Sequence, residues 1–135
     1  MSFINFFGNL VRKKDVYFKY STSEQLTGEI WIDGKPIYTK TVTYSPNKAS
    51  LNVDIDLGIS ATSISSIWFD YSKSFVRQNN GTVSSLNMVS GSGWFGIYSY
   101  MINTTATSGN IKMNLQSNSN TTISDVYITL YYTKK

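Results

Sequence analysis

The 135-residue chain is long enough for one domain with its own core, and 41% hydrophobic residues with only two prolines describe a chain that packs. It contains no cysteine and no histidine, which excludes disulfides, thiolate chemistry, Ser-His-Asp and Cys-His catalysis and histidine-based zinc sites. The net charge of +4 is modest and the basic residues cluster only at Arg12-Lys13-Lys14 and Lys134-Lys135, apart from most of the aromatics, so nucleic acid is not an expected partner.

The chain opens with MSFINFFGNLVRKK, apolar first and basic last, the reverse of a secretory signal. Its apolar stretch is too short to cross a bilayer, and no membrane insertion is expected. Phe3, Phe7 and Leu10, with Ile4 and Val11 beside them, keep helical spacing. Such a segment either closes the protein's own core or anchors it to a partner protein, with membrane-surface binding a third and weaker reading. The chain divides accordingly into an N-terminal anchor peptide, 1–15, and a β domain, 16–135.

Beyond Lys14 the period changes to two, beginning with a short strand-like run at 16–20. EIWIDGKPIYTKTVTY, 29–44, predicts a hairpin about Asp33-Gly34. A two-residue type I′ turn there sets Ile32 opposite Lys35, Trp31 opposite Pro36 and Ile30 opposite Ile37. Ile30, Ile32 and Ile37 then share one face, and Trp31, Tyr38, Val42 and Tyr44 share the other. Pro36 cannot donate to a ladder, which places the hairpin near a sheet edge. An edge hairpin that is apolar on both sides needs a cover, and a second copy of the chain is the economical one.

LNVDIDL, 51–57, alternates cleanly, with Leu51, Val53, Ile55 and Leu57 on one face and Asn52, Asp54 and Asp56 on the other. The two aspartates could offer oxygens to calcium. A solvated strand face is the simpler account, and as a glycosidase pair nothing in the sequence raises the pKa of either. No catalytic residue, metal ligand or cofactor site is therefore assigned. Strand-like runs follow at 64–71 and 82–89. SGSGWFGIYSY, 90–100, carries Trp94, Tyr98 and Tyr100 at alternate or near-alternate positions, which read either as core and subunit contact or as a glycan platform.

The strand-like run 94–103 is followed by NIKMNLQ, 110–116, which repeats the alternation with Ile111, Met113 and Leu115. The run 123–133 sets Val126, Ile128 and Leu130 on one side and Tyr127, Thr129 and Tyr131 on the other. Tyrosine suits interfaces because it joins an apolar body to a polar tip. Trp31, Tyr38, Tyr44, Tyr127 and Tyr131 are therefore the expected subunit contacts. About nine strands and almost no helix predict an all-β, antiparallel β-sandwich of jelly-roll-like type.

YSTSEQLTGEIWIDGKPIYTKTV, 20–42, with the closing DVYITLYYTKK, 125–135, resembles a module of bacteriophage structural proteins found at the C-terminal ends of tail fibres and head fibres. The matching positions are Tyr20, Ser21, Thr22, Glu24, Gln25, Gly28, Trp31, Asp33 to Pro36, Tyr38 and Lys40. The resemblance implies a non-enzymatic, β-rich, commonly trimeric virion protein. Because only residues 1–19 precede the module, it implies a short head fibre, decoration protein or small appendage held to other virion proteins, a capsid or fibre base, by Phe3, Ile4, Phe7, Leu10 and Val11. Host glycans are a candidate ligand at Trp94, Tyr98 and Tyr100. The alternatives are a receptor-binding tail-fibre tip and a free carbohydrate-binding lectin.

Overall fold

Ten strands make up the computed structural model, which describes residues 19–89, 96–102, 109–118 and 121–135. They are β1 (Gln25–Ile30), β2 (Pro36–Tyr44), β3 (Leu51–Ser60), β4 (Ile64–Phe69), β5 (Phe75–Gln78), β6 (Val83–Ser84), β7 (Met88–Val89), β8 (Gly96–Ile102), β9 (Asn110–Ser117) and β10 (Ile123–Lys134). Two single-turn 3-10 segments, Ala61–Ser63 and Tyr71–Lys73, flank β4. The strands form two antiparallel sheets: β1-β2-β10-β5-β6 with β4 also on β10, and β3-β9-β8-β7. Both sheets bury side chains in one common interior, so the fold is the all-β antiparallel sandwich that the alternation predicts. The pairs β2–β10 and β3–β9 lie in different sheets, so the β2–β3 and β9–β10 connections pass between sheets together, a jelly-roll-like wrapping.

The interior follows the period-two pattern closely. Leu51, Ile55, Leu57 and Ile59 of β3, Ile111, Met113 and Leu115 of β9, and Val126, Ile128, Leu130 and Tyr132 of β10 belong to one buried cluster. Leu57, Leu115, Ile128 and Leu130 have no exposed surface, and each such side chain contributes about 1.5–3 kcal/mol on burial. The intervening Asn52, Asp54 and Asp56 face outward.

Strand β10 organises the larger sheet. One edge pairs with β2 from Val126–Tyr44 to Tyr132–Tyr38. The other edge is shared end to end by β5, against Ile123 to Tyr127, and β4, against Leu130 to Lys134. Between those two strands the ladder is completed by the 70–74 turn. Asp70 N–H donates to Thr129 O at 3.0 Å, and Thr129 N–H donates to Ser74 Oγ at 2.8 Å. A backbone amide in a buried strand must find a partner, and a serine hydroxyl here substitutes for the missing strand.

The 29–44 hairpin forms where expected but with a different turn. Gly34 N–H donates to Trp31 O at 2.9 Å and Trp31 N–H to Lys35 O at 2.8 Å. Gly34 has φ +84°, whereas Asp33 is not among the positive-φ residues. This is a type I turn over 31–34 followed by a left-handed glycine bulge, not the type I′ turn, which needs positive φ at both central residues. The Asp33 carboxylate accepts from Lys35 N–H at 3.1 Å and stabilises the turn. Ile30 consequently pairs with Pro36 instead of Ile37, and a second irregularity falls at Gly28, φ +84°.

A one-residue register change moves side chains to the opposite face. Tyr38, Val42 and Tyr44 pack against the interior cluster, so the expectation that they share a face with Trp31 is corrected. Ile37 is buried apart from that cluster, on the Thr39 and Thr41 side of β2. Ile30 and Ile32 stay 70% and 92% exposed.

Other expectations differ in detail. The 82–89 run is two short strands, β6 and β7, and β5 is a strand that the alternation did not single out. Lys19 and Tyr20, at the end of the 16–20 run, are outside any strand. Residues 1–15, with Phe3, Ile4, Phe7, Leu10 and Val11, lie outside the described residues.

Candidate functional site

The outer face of the larger sheet is the surface that the interior does not use. On β10 it carries Tyr127, Thr129, Tyr131 and Thr133, the alternates of the buried set. Register adds Thr39 beside Tyr131, Thr41 beside Thr129 and Thr43 beside Tyr127, with Trp68 and Phe75 across from Tyr131 and Tyr127. Threonine hydroxyls seal the middle. Thr129 Oγ1 donates to Lys73 O at 2.8 Å and lies 3.1 Å from Thr41 Oγ1, while Thr39 Oγ1 donates to Leu130 O at 3.0 Å.

At the hairpin end three rings are layered. Trp31 stacks on Trp68 with centroids 4.5 Å apart, and Trp68 on Tyr131 at 6.0 Å. Lys73 Nζ donates to Tyr131 Oη at 2.6 Å and lies 3.6 Å from an Asp70 carboxylate oxygen. The bond to Tyr131 holds the Lys73 ammonium above its ordinary pKa; burial opposes this, and Asp70 adds to it. Burial pushes the Asp70 carboxyl up, but bonds from Ser72 and the Lys73 charge outweigh it and hold the group below the usual carboxylate range.

At the opposite end Phe75 stacks on Tyr127 at 4.6 Å, and the Arg77 guanidinium carbon lies 5.8 Å from the centre of the Tyr127 ring. These residues wall an open groove of about 370 Å³ whose other side is Tyr20, Ser21 and Thr22 and whose floor is Thr41 and Thr43. The 20–22 wall is fixed by Thr41 N–H donating to Ser21 O at 2.8 Å.

A polar cluster closes the inner margin of the same sheet. The Tyr132 hydroxyl donates to Glu24 Oε2 at 2.6 Å, Lys134 Nζ bonds the other Glu24 oxygen, and Lys134 also lies 4.4 Å from the centre of the Tyr38 ring. Partial burial raises the Glu24 pKa, yet the bonds from Lys134 and Tyr132 prevail and leave it below the ordinary value. Burial, then the carboxylate beside it, pushes the Tyr132 phenol well above its ordinary range. Lys40 Nζ donates to Leu57 O at 3.2 Å across the sandwich. The cluster ties the segment before β1 to the end of β10.

No family model matches the chain, and comparison with curated proteins and with solved structures returns no match. The site is therefore read from its own chemistry. Of the expected subunit contacts, Trp31, Tyr127 and Tyr131 share the outer face, while Tyr38 and Tyr44 are turned inward. Trp94 lies outside the described residues; Tyr98 and Tyr100 of β8 pair with Gln116 and Asn114 of β9, and the side chains of the two tyrosines are not described.

Asp54 and Asp56 stand on the exposed face of β3. Asn114 Nδ2 donates to Asp54 at 2.7 Å, and Asn110 Nδ2 and Gly58 N–H donate to Asp56 at 3.1 and 2.7 Å. No group of three or more acidic ligands occurs among the described residues. Trp68, Lys73, Phe75 and Arg77 complete the outer face without having been singled out in the sequence. The i,i+2 spacing of Phe75 and Arg77 was the available signal.

Proposed function

We propose that the chain is a non-enzymatic structural protein of a bacteriophage particle, a short homotrimeric head fibre or capsid-decoration protein that contacts other virion proteins. The observation that carries the assembly is the hairpin end of the outer face, where Trp31, Trp68 and Tyr131 form a layered stack beside the exposed Ile30 and Ile32. Aromatic residues dominate subunit contacts because they bury large area with few rotatable bonds, and a monomer gains nothing from exposed isoleucines at a sheet edge. The phage assignment rests on the resemblance of 20–42 and 125–135 to fibre modules, which are commonly trimeric.

Light scattering tests the assembly: the expected mass is three times the 15.2 kDa chain, and Ile32→Asp lowers it without lowering helix-free β circular dichroism. A wild-type monomer at micromolar concentration refutes the trimer. Mass spectrometry of purified particles tests the location. Absence from particles would favour the free carbohydrate-binding lectin.

A further inference from the structure

The groove at the far end of the outer face has the composition of a ligand site. Its volume of about 370 Å³ falls at the small end of the range for small-molecule sites, roughly 300–1,000 Å³. One wall is a flat aromatic surface, Tyr127 braced by Phe75 at 4.6 Å and 27°. The opposite wall begins with Tyr20, which is 51% exposed. The backbone bond between Thr41 and Ser21 fastens the Tyr20–Thr22 wall to the sheet that carries Tyr127, and a wall already fastened spares part of the ordering cost of binding.

Charge decides what it would hold. Among the described residues Arg77 is the one cation lining the groove, and none of the lining residues is acidic. Asp125, the strand neighbour of Arg77, instead accepts from Ser45 Oγ at 2.8 Å, and no salt bridge of Arg77 is formed among the described residues. A guanidinium held over an aromatic ring keeps a planar fork of donors matched to a carboxylate. The hydroxyls of Thr22 and Thr43 offer neutral donors and acceptors along the same groove.

We infer that this groove binds an acidic saccharide, with an apolar sugar-ring face on Tyr127, ring hydroxyls toward Thr22 and Thr43, and the sugar carboxylate on Arg77. The one cation that lines the groove among the described residues fits a single carboxylate; a nucleic acid or another polyanion would call for several cations along its path. The site is separate from the Trp31–Trp68–Tyr131 stack, and the inference does not depend on the assembly or the location proposed above.

The test is saturation-transfer NMR and calorimetry on the full chain with glucuronic, galacturonic and N-acetylneuraminic acid, each beside its methyl ester. At least one acid should bind saturably and its ester at least tenfold more weakly. Arg77→Gln, at an exposed position, should keep the melting temperature and abolish that preference, and Tyr127→Leu should weaken acid and ester alike. No saturable binding by any of the three acids, equal binding of acid and ester, or an acid preference retained in Arg77→Gln each overturns the inference.

Discussion

Tyr132→Phe isolates a single bond in the cluster that joins the segment before β1 to the end of β10. The ring is 1% exposed and stacks on Tyr38 at 5.9 Å, so phenylalanine keeps the packing and loses only the hydroxyl that donates to Glu24 at 2.6 Å. A hydrogen bond to a charged partner contributes about 1.5–3 kcal/mol. The Glu24 side chain is 38% exposed and water can replace the lost donor, which brings the expected loss to about 1–2 kcal/mol. For a domain of this size that is a fall in Tm of roughly 3–10 °C. The pH dependence carries the sharper test. Glu24 has a folded pKa below its unfolded value, so its contribution is present above the unfolded pKa and disappears as the pH falls through the folded one. Tyr132 has a folded pKa above its unfolded value, so its contribution is complete below about 10 and declines as the pH rises beyond it. Thermal melts of wild type and Tyr132→Phe should therefore differ most near neutrality and converge in acid, as the pH falls through the lowered folded pKa of Glu24, and in base above pH 10. A difference that stays constant from the acid limit of folding to pH 11 would refute the assignment of this bond.

Other substitutions test the fold. Gly34→Ala should cost about 1 kcal/mol through backbone conformation alone, since nothing lies within 4 Å of the added carbon, while Asp33→Asn should leave the melt unchanged. Leu57→Ala, at a fully buried position, should cost about 2–5 kcal/mol in denaturant titration. Thr129→Val should cost about 1–3 kcal/mol, because it strips a donor from the part-buried Lys73 carbonyl, and an unchanged denaturation midpoint would show that bond to be dispensable.

The residues that announced themselves were those with a strict two-residue period. Leu51 to Leu57, Ile111 to Leu115 and Val126 to Leu130 each have one apolar face, and that face is the interior. The hairpin was legible as an element but not in register. Asp-Gly is compatible with both a type I′ turn and a type I turn with a bulge, and hydrogen bonds to Trp31 and Lys35, not residue types, distinguish them. That difference is why Tyr38 and Tyr44 turn inward although Trp31 does not. Half of the outer face was also readable, since Tyr127 and Tyr131 must oppose the core. The groove was not, because Tyr20, Thr41, Arg77 and Tyr127 come from four separate parts of the chain and meet only through pairing to β10 and the Ser21–Thr41 bond. β5 is four residues long, too short for its alternation to stand out.

The position of β10 in the larger sheet also bears on the order in which the protein can be made. β2, β4 and β5 all lean on a strand that the ribosome delivers after every one of them. Until Ile123–Lys134 has been synthesised, β4 has no neighbour in its sheet among the described residues, and β2 has β1 alone. The β1–β2 and β5–β6 pairs can form earlier, but they are joined into one sheet only when β10 arrives, so the domain closes as a unit at the end. The nascent chain must carry open strand edges and the Val42 and Tyr44 side chains without their cover, a window in which an early stop or a slow stretch of message favours aggregation over folding.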